Sequence, residues 1–357
     1  MLSFAIFISL ISFSQTEDQK QKITSKYNTS LLNQLSSDFD EVFKAQKQSV
    51  LDLAKLRNLE ISLTLKDGSY AELQRFDEKG TPIYYQTYNA DASRSTRTDH
   101  LNIGGSTGFN LDGQDMTAYV WDGGHARVTH QEYQTSGSSR VTIMDVASEG
   151  LDLNFHAAHV TGTIMATGVV PNAKGMAPRA NVEGYKWNND LSEATNAAAQ
   201  GMLVSNHSYG MTTSFVQDYY FGAYVAQSRN WDELHYNAPF YLMVVAAGND
   251  GETSFNGSPL DPNNPSYDKL TGHSTAKNNL LVASANDANV NADGELISVS
   301  ISSFSSQGPT DDLRIKPDIT GNGSGVFSTY ATGDAAYNTI SGTSMASPNV
   351  AGSALLL

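Results

Sequence analysis

The sequence predicts an α/β fold with a mostly parallel central sheet, preceded by a small α+β N-terminal region. After Asp115, short and continuously apolar runs at residues 117–121, 241–247 and 280–285 alternate with Ala-rich helical stretches such as 193–199. Uninterrupted apolar runs are typical of parallel strands that are buried on both faces. Before Asp115, one long helical pattern precedes segments of alternating hydrophobicity, which indicates a separate α+β unit.

The first residues predict export. Residues 4–13 form a short apolar run that is followed by the polar stretch 14–22. A membrane-spanning helix needs about 20 apolar residues, so this run is too short for stable insertion into a membrane. It fits a signal peptide at residues 1–14 with cleavage near Ser14, although no Lys or Arg precedes it. A buried helix or strand is the alternative. Export predicts a secreted protein, extracellular or at the cell surface.

Residues 15–90 predict a helix followed by a small sheet. The helix has apolar residues at three- and four-residue spacing, is capped by Thr29 or Ser30, and runs towards Leu56. Three alternating segments, separated by Gly-containing turns, predict an antiparallel meander: residues 61–65, 70–76 and 83–87. This unit is interpreted as a propeptide that assists folding or blocks a functional site, or as a plain N-terminal extension. Residues 91–114 are then a polar linker, and residues 115–357 form the main domain.

Composition excludes several classes of function. The 357 residues carry a net charge of −15 and include no cysteine. Nucleic acid and anionic membranes would repel such an acidic protein, so neither is predicted as a partner. The absence of cysteine excludes disulfides, thiolate metal sites and a cysteine nucleophile.

Two candidate site residues lie where regular elements end or begin. Asp122 follows an apolar strand, at the carboxyl edge of the predicted sheet, where open α/β sheets place their sites. Taken alone, an ordinary Asp-Gly turn explains it as well. His156 begins a helical segment whose Val160 and Ile164 face the core, so its side chain is expected to point outward. His159 would allow a metal pair, but no Glu stands between the two histidines, and no metal ligands are predicted.

Two further candidates follow later in the chain. Asn249 comes after an apolar strand and tiny residues, and its side-chain N–H groups can donate to an oxyanion, with a turn-forming Asn as the alternative. Ser344 lies in a segment where Gly342 supplies a sharp turn, Ser344 opens a helix, and Pro348 is tolerated in a first turn. A serine at a helix N-terminus lies beside unpaired N–H groups that favour an anionic intermediate. A simple N-cap would not explain the surrounding residues.

Together these segments resemble the subtilisin-like serine proteases (subtilases), whose catalytic residues follow the chain order Asp, His, Ser. Residues 342–348, Gly-Thr-Ser-Met-Ala-Ser-Pro, match the nucleophile motif of that family in full. The likeness runs from about Asp115 to the last residue and includes four more segments: residues 175–178, 206–210, 302–308 and 316–319. The N-terminal region is similar only loosely. The resemblance implies a subtilisin-like three-layer fold and a serine endopeptidase of the secreted bacterial type.

The resemblance also assigns roles to the candidate residues. It implies a triad of Asp122, His156 and Ser344, with His156 rather than His159 as the base, and Asn249 in the oxyanion hole. It implies two segments that line the pocket for the substrate residue before the scissile bond. These segments, which would pair with an extended polypeptide substrate, are Ser208, Tyr209 and Gly210, and Ala246, Ala247 and Gly248. The N-terminal region would be an intramolecular inhibitor or chaperone.

Departures from the family pattern qualify these roles. Gly123 replaces the Ser or Thr that usually follows the catalytic Asp, so one hydrogen bond to that carboxylate is expected to be lost. The loop 167–172 lacks the carboxylates and amides of a calcium loop, apart from Asn172. No calcium ligand is therefore predicted, and no cofactor is required. The apolar residues 354–357 stand where subtilase domains usually continue, which predicts a C-terminally truncated catalytic domain.

The sequence leaves two rival functions open. A subtilase-like domain that binds or scaffolds without cleaving would not react with a fluorophosphonate. Metal-dependent hydrolysis through His156 and His159 would be sensitive to chelators and indifferent to a fluorophosphonate.

Overall fold

The computed structural model describes residues 15–64, 70–87, 89–90, 98–103, 107–291 and 295–357. The predicted signal peptide, residues 1–14, lies outside these residues. Within the described part of the chain, none of the helices combines the length and the apolar character that crossing a membrane requires. The described residues form an N-terminal region and a larger α/β domain.

The N-terminal region contains two helices and several short strands. They are α1 (Glu17–Thr24), α2 (Thr29–Arg57), β1 (Ser62–Thr64), β2 (Tyr70–Phe76), β3 (Pro82–Thr87) and β4 (Asn89–Ala90). Strands β1, β2 and β3 pair in antiparallel order, as the meander pattern predicts. The predicted cap of α2 is wrong. Asn28 caps the helix instead, because its side chain accepts a hydrogen bond from the Leu31 N–H group at 3.1 Å, and Asn serves this position as well as Ser or Thr.

The larger domain alternates strands and helices. Its helices are α3 (Val146–Glu149), α4 (Phe155–Met165), α5 (Asp190–Ala199), α6 (Ala226–Asn237) and α7 (Thr343–Ala354). Its first strands are β5 (Thr117–Asp122), β6 (Gln134–Thr135), β7 (Ser138–Ser139), β8 (Val141–Ile143), β9 (Asn181–Lys186), β10 (Val204–His207) and β11 (Tyr209–Met211). The remaining strands are β12 (Leu242–Ala246), β13 (Leu280–Ala285), β14 (Asn289–Val290), β15 (Leu296–Ser298), β16 (Ile319–Asn322), β17 (Val326–Thr329) and β18 (Tyr337–Ser341).

Seven strands form a parallel sheet in the order β16-β13-β12-β10-β5-β9-β8, which confirms the predicted fold class. Alternate residues of β5 face opposite layers of helices. Ala118 and Val120 pack in a core with α4 and α7, whereas Tyr119 and Trp121 pack in a core with α5 and α6. Because both faces are covered, the strands are apolar without alternation.

Three neighbouring strands lead to the candidate residues. Strand β10 pairs with β5 on one side and with β12 on the other, and all three are parallel. Asp122 ends β5, Ser208 follows β10, and Asn249 lies just beyond β12. Carboxyl ends of parallel strands meet at one edge of the sheet, so these residues share that edge. Helices α4 and α7, which carry His156 and Ser344, pack against each other on one face.

The N-terminal region docks on the larger domain through a helix pair and through strands. Ser36 of α2 donates to the Ser192 carbonyl of α5 at 2.9 Å, and the Ser192 hydroxyl donates to the Ser36 carbonyl at 2.7 Å. Strand β3 pairs antiparallel with β11, and β4 pairs antiparallel with β18. The sheet β1-β2-β3-β11 therefore contains strands of both parts of the chain.

Candidate active site

Asp122 and His156 form a buried pair with two close contacts. His156 Nδ1 lies 2.8 Å from Asp122 Oδ1 and 2.9 Å from Oδ2, and neither side chain has exposed surface. The Gly123 N–H group donates to Asp122 Oδ1 at 2.7 Å, so a backbone donor contacts the carboxylate where the usual hydroxyl is missing. A carboxylate on Nδ1 holds the ring in the tautomer in which Nδ1 carries the proton and Nε2 is the basic nitrogen.

Asn154 positions His156, although the sequence analysis did not single it out. Its Oδ1 accepts hydrogen bonds from the N–H groups of His156 at 2.8 Å and Ala157 at 3.4 Å, which caps α4. Its Nδ2 donates to the Gly123 carbonyl at 3.4 Å. Asn154 therefore links the turn after Asp122 to the start of the histidine helix. An Asn just before a helical pattern is the sequence signal that would have identified it. The His156 side chain is fully buried, with its ring against Asp122.

Ser344 is the second residue of α7 and exchanges two hydrogen bonds with Ser208. Ser344 Oγ donates to the Ser208 carbonyl at 2.8 Å, and Ser208 Oγ donates to the Ser344 carbonyl at 2.9 Å. Pro348 explains the second bond. It lies in the second turn of α7, not in the first as predicted, and because it has no N–H group it cannot be the donor that a helix normally provides to the Ser344 carbonyl. The Ser208 hydroxyl supplies that donor.

Asn249 is oriented by the residue that precedes Ser344. Its Oδ1 accepts hydrogen bonds from the Thr343 N–H group at 3.0 Å and from Thr343 Oγ1 at 3.1 Å. The side chain is half-buried. With Oδ1 engaged in this way, the amide presents Nδ2, which can donate to an oxyanion near the start of α7.

The two segments predicted to line the substrate pocket are buried at the same sheet edge. Ser208 precedes β11, which begins with Tyr209 and Gly210, whereas Ala246 ends β12 and is followed by Ala247 and Gly248. The Gly248 N–H group donates to Thr343 Oγ1 at 3.0 Å, which joins the second segment to α7. The first segment pairs with the chain's own β3 in the register Tyr209 to Thr87, Gly210 to Gln86 and Met211 to Tyr85. An extended polypeptide therefore pairs with this segment, and it belongs to the N-terminal region.

Tyr85 anchors β3 in the larger domain. Its ring centroid lies 5.9 Å from that of Trp187 and 5.4 Å from that of Tyr209. Its hydroxyl accepts hydrogen bonds from Gln227 Nε2 at 2.5 Å and from Arg75 at 3.4 Å. Burial raises the pKa of Tyr85 to about 12, so the hydroxyl stays neutral. Sequence analysis missed this residue because its partners are distant in the chain.

His159 does not take part in the contact between His156 and Asp122. Its Nε2 donates to the Val326 carbonyl at 3.0 Å, and burial, followed by the charge of His156, lowers its pKa to about 3. The two rings therefore have different partners. In the part of the chain that the structure describes, no three His, Cys, Asp or Glu side chains come together to hold a metal ion.

The loop 167–172, where no calcium ligand is predicted, binds a carboxylate. Buried Glu132 accepts hydrogen bonds from the N–H groups of Gly168 at 2.7 Å, Val169 at 3.0 Å and Val170 at 2.9 Å. Consecutive N–H groups that converge on one point favour an anion. Sequence analysis missed Glu132, because nothing near it in the chain indicates that it would meet this loop.

Comparison with known proteins identifies the family that shares these features. A family model described as the subtilase family matches residues 61–357. A cuticle-degrading serine protease of Arthrobotrys oligospora is 30% identical over 67% of this chain and 51% of its own length. An alkaline proteinase of Hapsidospora chrysogena is 29% identical over 71% of this chain and 55% of its own length. The chain thus spans about half the length of the curated relatives it matches.

A solved structure supports the fold. The structure of the Clostridium perfringens CspB protease has a TM-score of 0.56, with 16% sequence identity, over 74% of this chain and 87% of that chain. At that identity the likeness concerns the fold alone.

Proposed function

The chain belongs to the subtilase family, and from this premise we propose that it is a serine endopeptidase that acts through Asp122, His156 and Ser344. The observation that carries the proposal is the buried contact of His156 Nδ1 with both oxygens of Asp122. Ser344, which is linked to the same sheet edge through Ser208, supplies the alcohol.

The proposed reaction begins when Ser344 Oγ attacks the carbonyl carbon of a peptide bond. Its proton passes to His156 Nε2, while Asp122 stabilises the resulting imidazolium through Nδ1. The tetrahedral intermediate collapses when His156 returns the proton to the amine nitrogen, and the C–N bond breaks. Water then attacks the acyl-enzyme, with His156 again accepting and returning a proton. No cofactor takes part in these steps.

We propose that Asn249 Nδ2 and the Ser344 N–H group stabilise the oxyanion. The contacts of Thr343 with Asn249 Oδ1 favour this assignment, because they fix the amide before substrate arrives. A preorganised donor stabilises the developing charge without reorganisation during the reaction.

We further propose that the N-terminal region inhibits the site in the intact chain. Its β3 strand pairs with β11 in the antiparallel arrangement that an extended substrate would use. In addition, Asn89 of β4 pairs with Ser341, three residues before Ser344. The side chains of Asp122, His156 and Ser344 have no exposed surface in this arrangement. Activity on other polypeptides then requires that β3 leave the cleft.

Export through a signal peptide at residues 1–14 remains part of the proposal and rests on the apolar run at residues 4–13. The rival function is a domain that binds polypeptides without cleaving them.

Hydrolysis of an unfolded protein substrate tests the proposal. The full chain is incubated until the N-terminal region is released, or is treated briefly with a second protease to release it. Cleavage by the wild type but not by Ser344→Ala supports the endopeptidase. Ser353→Ala, on the same helix, is the matched control and should cleave like the wild type. Two results would reject the proposed activity. One is equal cleavage by Ser344→Ala, and the other is no cleavage by folded wild type whose N-terminal region has been released.

A further inference from the structure

Five buried polar side chains form one continuous chain of hydrogen bonds. The Tyr241 hydroxyl lies 2.6 Å from Ser205 Oγ, which lies 2.9 Å from His207 Nε2. His207 Nδ1 lies 2.8 Å from the Tyr209 hydroxyl, which donates to Asp190 Oδ2 at 2.9 Å. Ser205, His207 and Tyr209 have no exposed surface, and Asp190 and Tyr241 are buried as well. The chain thus joins α5, which begins with Asp190, to strands β10 and β11.

Asp190 sets the direction of every bond in this chain. An ionised carboxylate can only accept hydrogen bonds, so the one proton of the Tyr209 hydroxyl points to Asp190. The Tyr209 oxygen must then accept from His207, which places the proton of a neutral ring on Nδ1. Nε2 is left to accept from Ser205, whose oxygen in turn accepts from Tyr241. One carboxylate therefore fixes the tautomer of a histidine to which it is not hydrogen-bonded.

The protonation states of the groups agree with this direction. Burial, followed by the charges of His273 and His235, lowers the pKa of His207 well below its ordinary value, so the ring is neutral and carries one proton. Burial and then the charge of Asp190 raise the pKa of Tyr209 well above its ordinary value. Burial raises the pKa of Asp190 to about 6, so this carboxyl group is ionised at about pH 8.

The chain brackets the residue that contacts the proposed nucleophile. His207 ends β10 and Tyr209 begins β11, so the bonded side chains stand on either side of Ser208. The Ser208 carbonyl accepts a hydrogen bond from Ser344 Oγ, and β11 pairs with β3. The His207 ring is also stacked on Trp121 of β5, with 5.2 Å between the ring centroids. A shift of His207 or Tyr209 would therefore shift the segment that aligns a polypeptide with Ser344.

Without an acceptor at position 190, the chain would reverse. The Tyr209 hydroxyl would donate to His207 Nδ1, and the ring proton would move to Nε2, which would donate to Ser205 Oγ. The Ser205 hydroxyl would then donate to Tyr241, whose own proton would be buried without an acceptor. A buried donor that is left unpaired is destabilising, so the reversed chain holds the corner between β10 and β11 less firmly.

From these observations we propose that Asp190 is a positioning residue of the protease. Through Tyr209 and His207 it fixes the segment on both sides of Ser208, and thereby aligns the polypeptide that pairs with β11. A satisfied buried network makes its members rigid, and catalysis depends on the alignment of the substrate with the nucleophile. The effect on cleavage rests on the proposed function, whereas the His207 tautomer can be observed without any activity.

The informative variants differ in whether they keep an acceptor for the Tyr209 hydroxyl. Asp190→Asn keeps one in its side-chain carbonyl oxygen, whereas Asp190→Leu removes it. Tyr209→Phe is nearly isosteric and interrupts the chain of hydrogen bonds at its middle. Asn196→Leu, at an exposed position of α5, is the matched control for the replacement of a polar residue by leucine.

The first measurement is ¹⁵N NMR of the full chain with Ser344→Ala, labelled at histidine, at about pH 8. The signals of His207 are assigned by their loss in His207→Gln. We expect the ring proton on Nδ1 in this chain, in Asp190→Asn and in Asn196→Leu, but on Nε2 in Asp190→Leu and Tyr209→Phe. A proton on Nε2 in the starting chain, or a tautomer that neither Asp190→Leu nor Tyr209→Phe changes, overturns the inference.

The second measurement compares two rates in chains that keep Ser344, after release of the N-terminal region. For a polypeptide, kcat/KM should fall about 10- to 100-fold in Asp190→Leu and Tyr209→Phe, because its alignment is lost, and should stay within about threefold in Asp190→Asn and Asn196→Leu. Reaction with a fluorophosphonate needs no alignment by β11, so its rate should change about threefold or less in all four variants.

Equal losses of both rates in Asp190→Leu, or an equal loss of kcat/KM in Asp190→Asn or Asn196→Leu, would overturn the positioning role. A starting chain that neither cleaves nor reacts would reject the proposed function itself. The tautomer would still decide whether Asp190 sets the direction of the hydrogen bonds, so the two failures are distinguishable.

Discussion

Ser208 and Ser344 are joined by two reciprocal hydrogen bonds, from each hydroxyl to the other residue's carbonyl, at 2.8 and 2.9 Å. Ser208 immediately precedes β11, which pairs with an extended chain, and Ser344 carries the proposed nucleophile. The strand that aligns a polypeptide and the helix that attacks it are thus connected directly. The connection depends on Pro348, whose missing N–H leaves the Ser344 carbonyl available.

Ser208→Ala should destabilise the protein by about 1–3 kcal/mol, because it removes the buried hydrogen bond from Ser208 Oγ to the Ser344 carbonyl. In a Pro348→Ala background the cost should be smaller by about 1 kcal/mol, since the restored N–H can bond to that carbonyl. Urea unfolding of the four chains, all carrying Ser344→Ala, measures the coupling. Strictly additive effects would show that Pro348 does not create the need for the Ser208 hydroxyl.

Asn249→Ala should lower kcat about 10²- to 10³-fold and leave the fold intact, because it removes one oxyanion donor. Asn249→Asp is the companion variant. It keeps an oxygen that accepts from Thr343 but has no N–H group to donate, so a comparable loss of kcat is expected. If Asn249→Asp retains activity while Asn249→Ala does not, the contact with Thr343 matters and the oxyanion role is wrong.

Tyr85→Ala should release the N-terminal region earlier and shorten the lag before activity appears. The substitution removes the ring contacts with Trp187 and Tyr209 and the hydrogen bond from Gln227, all made across the interface. Truncation of a buried aromatic residue costs about 3–5 kcal/mol, so the affinity of the region for the domain should fall at least about tenfold. Leu56→Ala, at an 82% exposed position of α2, is the control and should keep the wild-type lag. An unchanged lag in Tyr85→Ala would argue against inhibition by β3.

His159 should make stability fall on acidification. Its pKa in the folded protein is about 3, below the ordinary histidine value of about 6.5. The unfolded chain therefore binds one more proton as pH falls from about 6.5 towards about 3, and stability that is complete above that window is lost within it. His159→Gln, which keeps a donor for the Val326 carbonyl, should reduce the slope of unfolding free energy by about 1.4 kcal/mol per pH unit. The half-exposed His100 provides the control, His100→Gln, and an equal change of slope in both variants would contradict the prediction.

Much of the fold follows from local sequence. The runs that predict β5, β12 and β13 are apolar because helices cover both faces of the sheet. The observed strands begin and end within about one residue of the predicted bounds. Asp122 ends its strand, and His156 and Ser344 lie at the starts of helices, as expected. These positions depend on periodicity and on turn residues near each site, which a single sequence displays.

The contacts that cross between distant segments could not be predicted. Glu132 acts through the backbone N–H groups of residues 168–170, and the sequence does not show which groups will converge. The pairing of β3 with β11 and the hydrogen bond from Tyr209 to Asp190 depend on tertiary packing of separate segments. The error at Asn28 is local and has another cause. Asn, Thr and Ser cap helices almost equally well, so the sequence does not decide among neighbouring residues of these types.

Reaction with a fluorophosphonate tests the proposed site most directly, with the modified residue located by mass spectrometry after the N-terminal region has been released. The account predicts one adduct, on Ser344, whose formation slows about 10³-fold or more in His156→Gln, because the hydroxyl then has no base. An adduct on another residue, or an equal rate in His156→Gln in a folded protein, would contradict it.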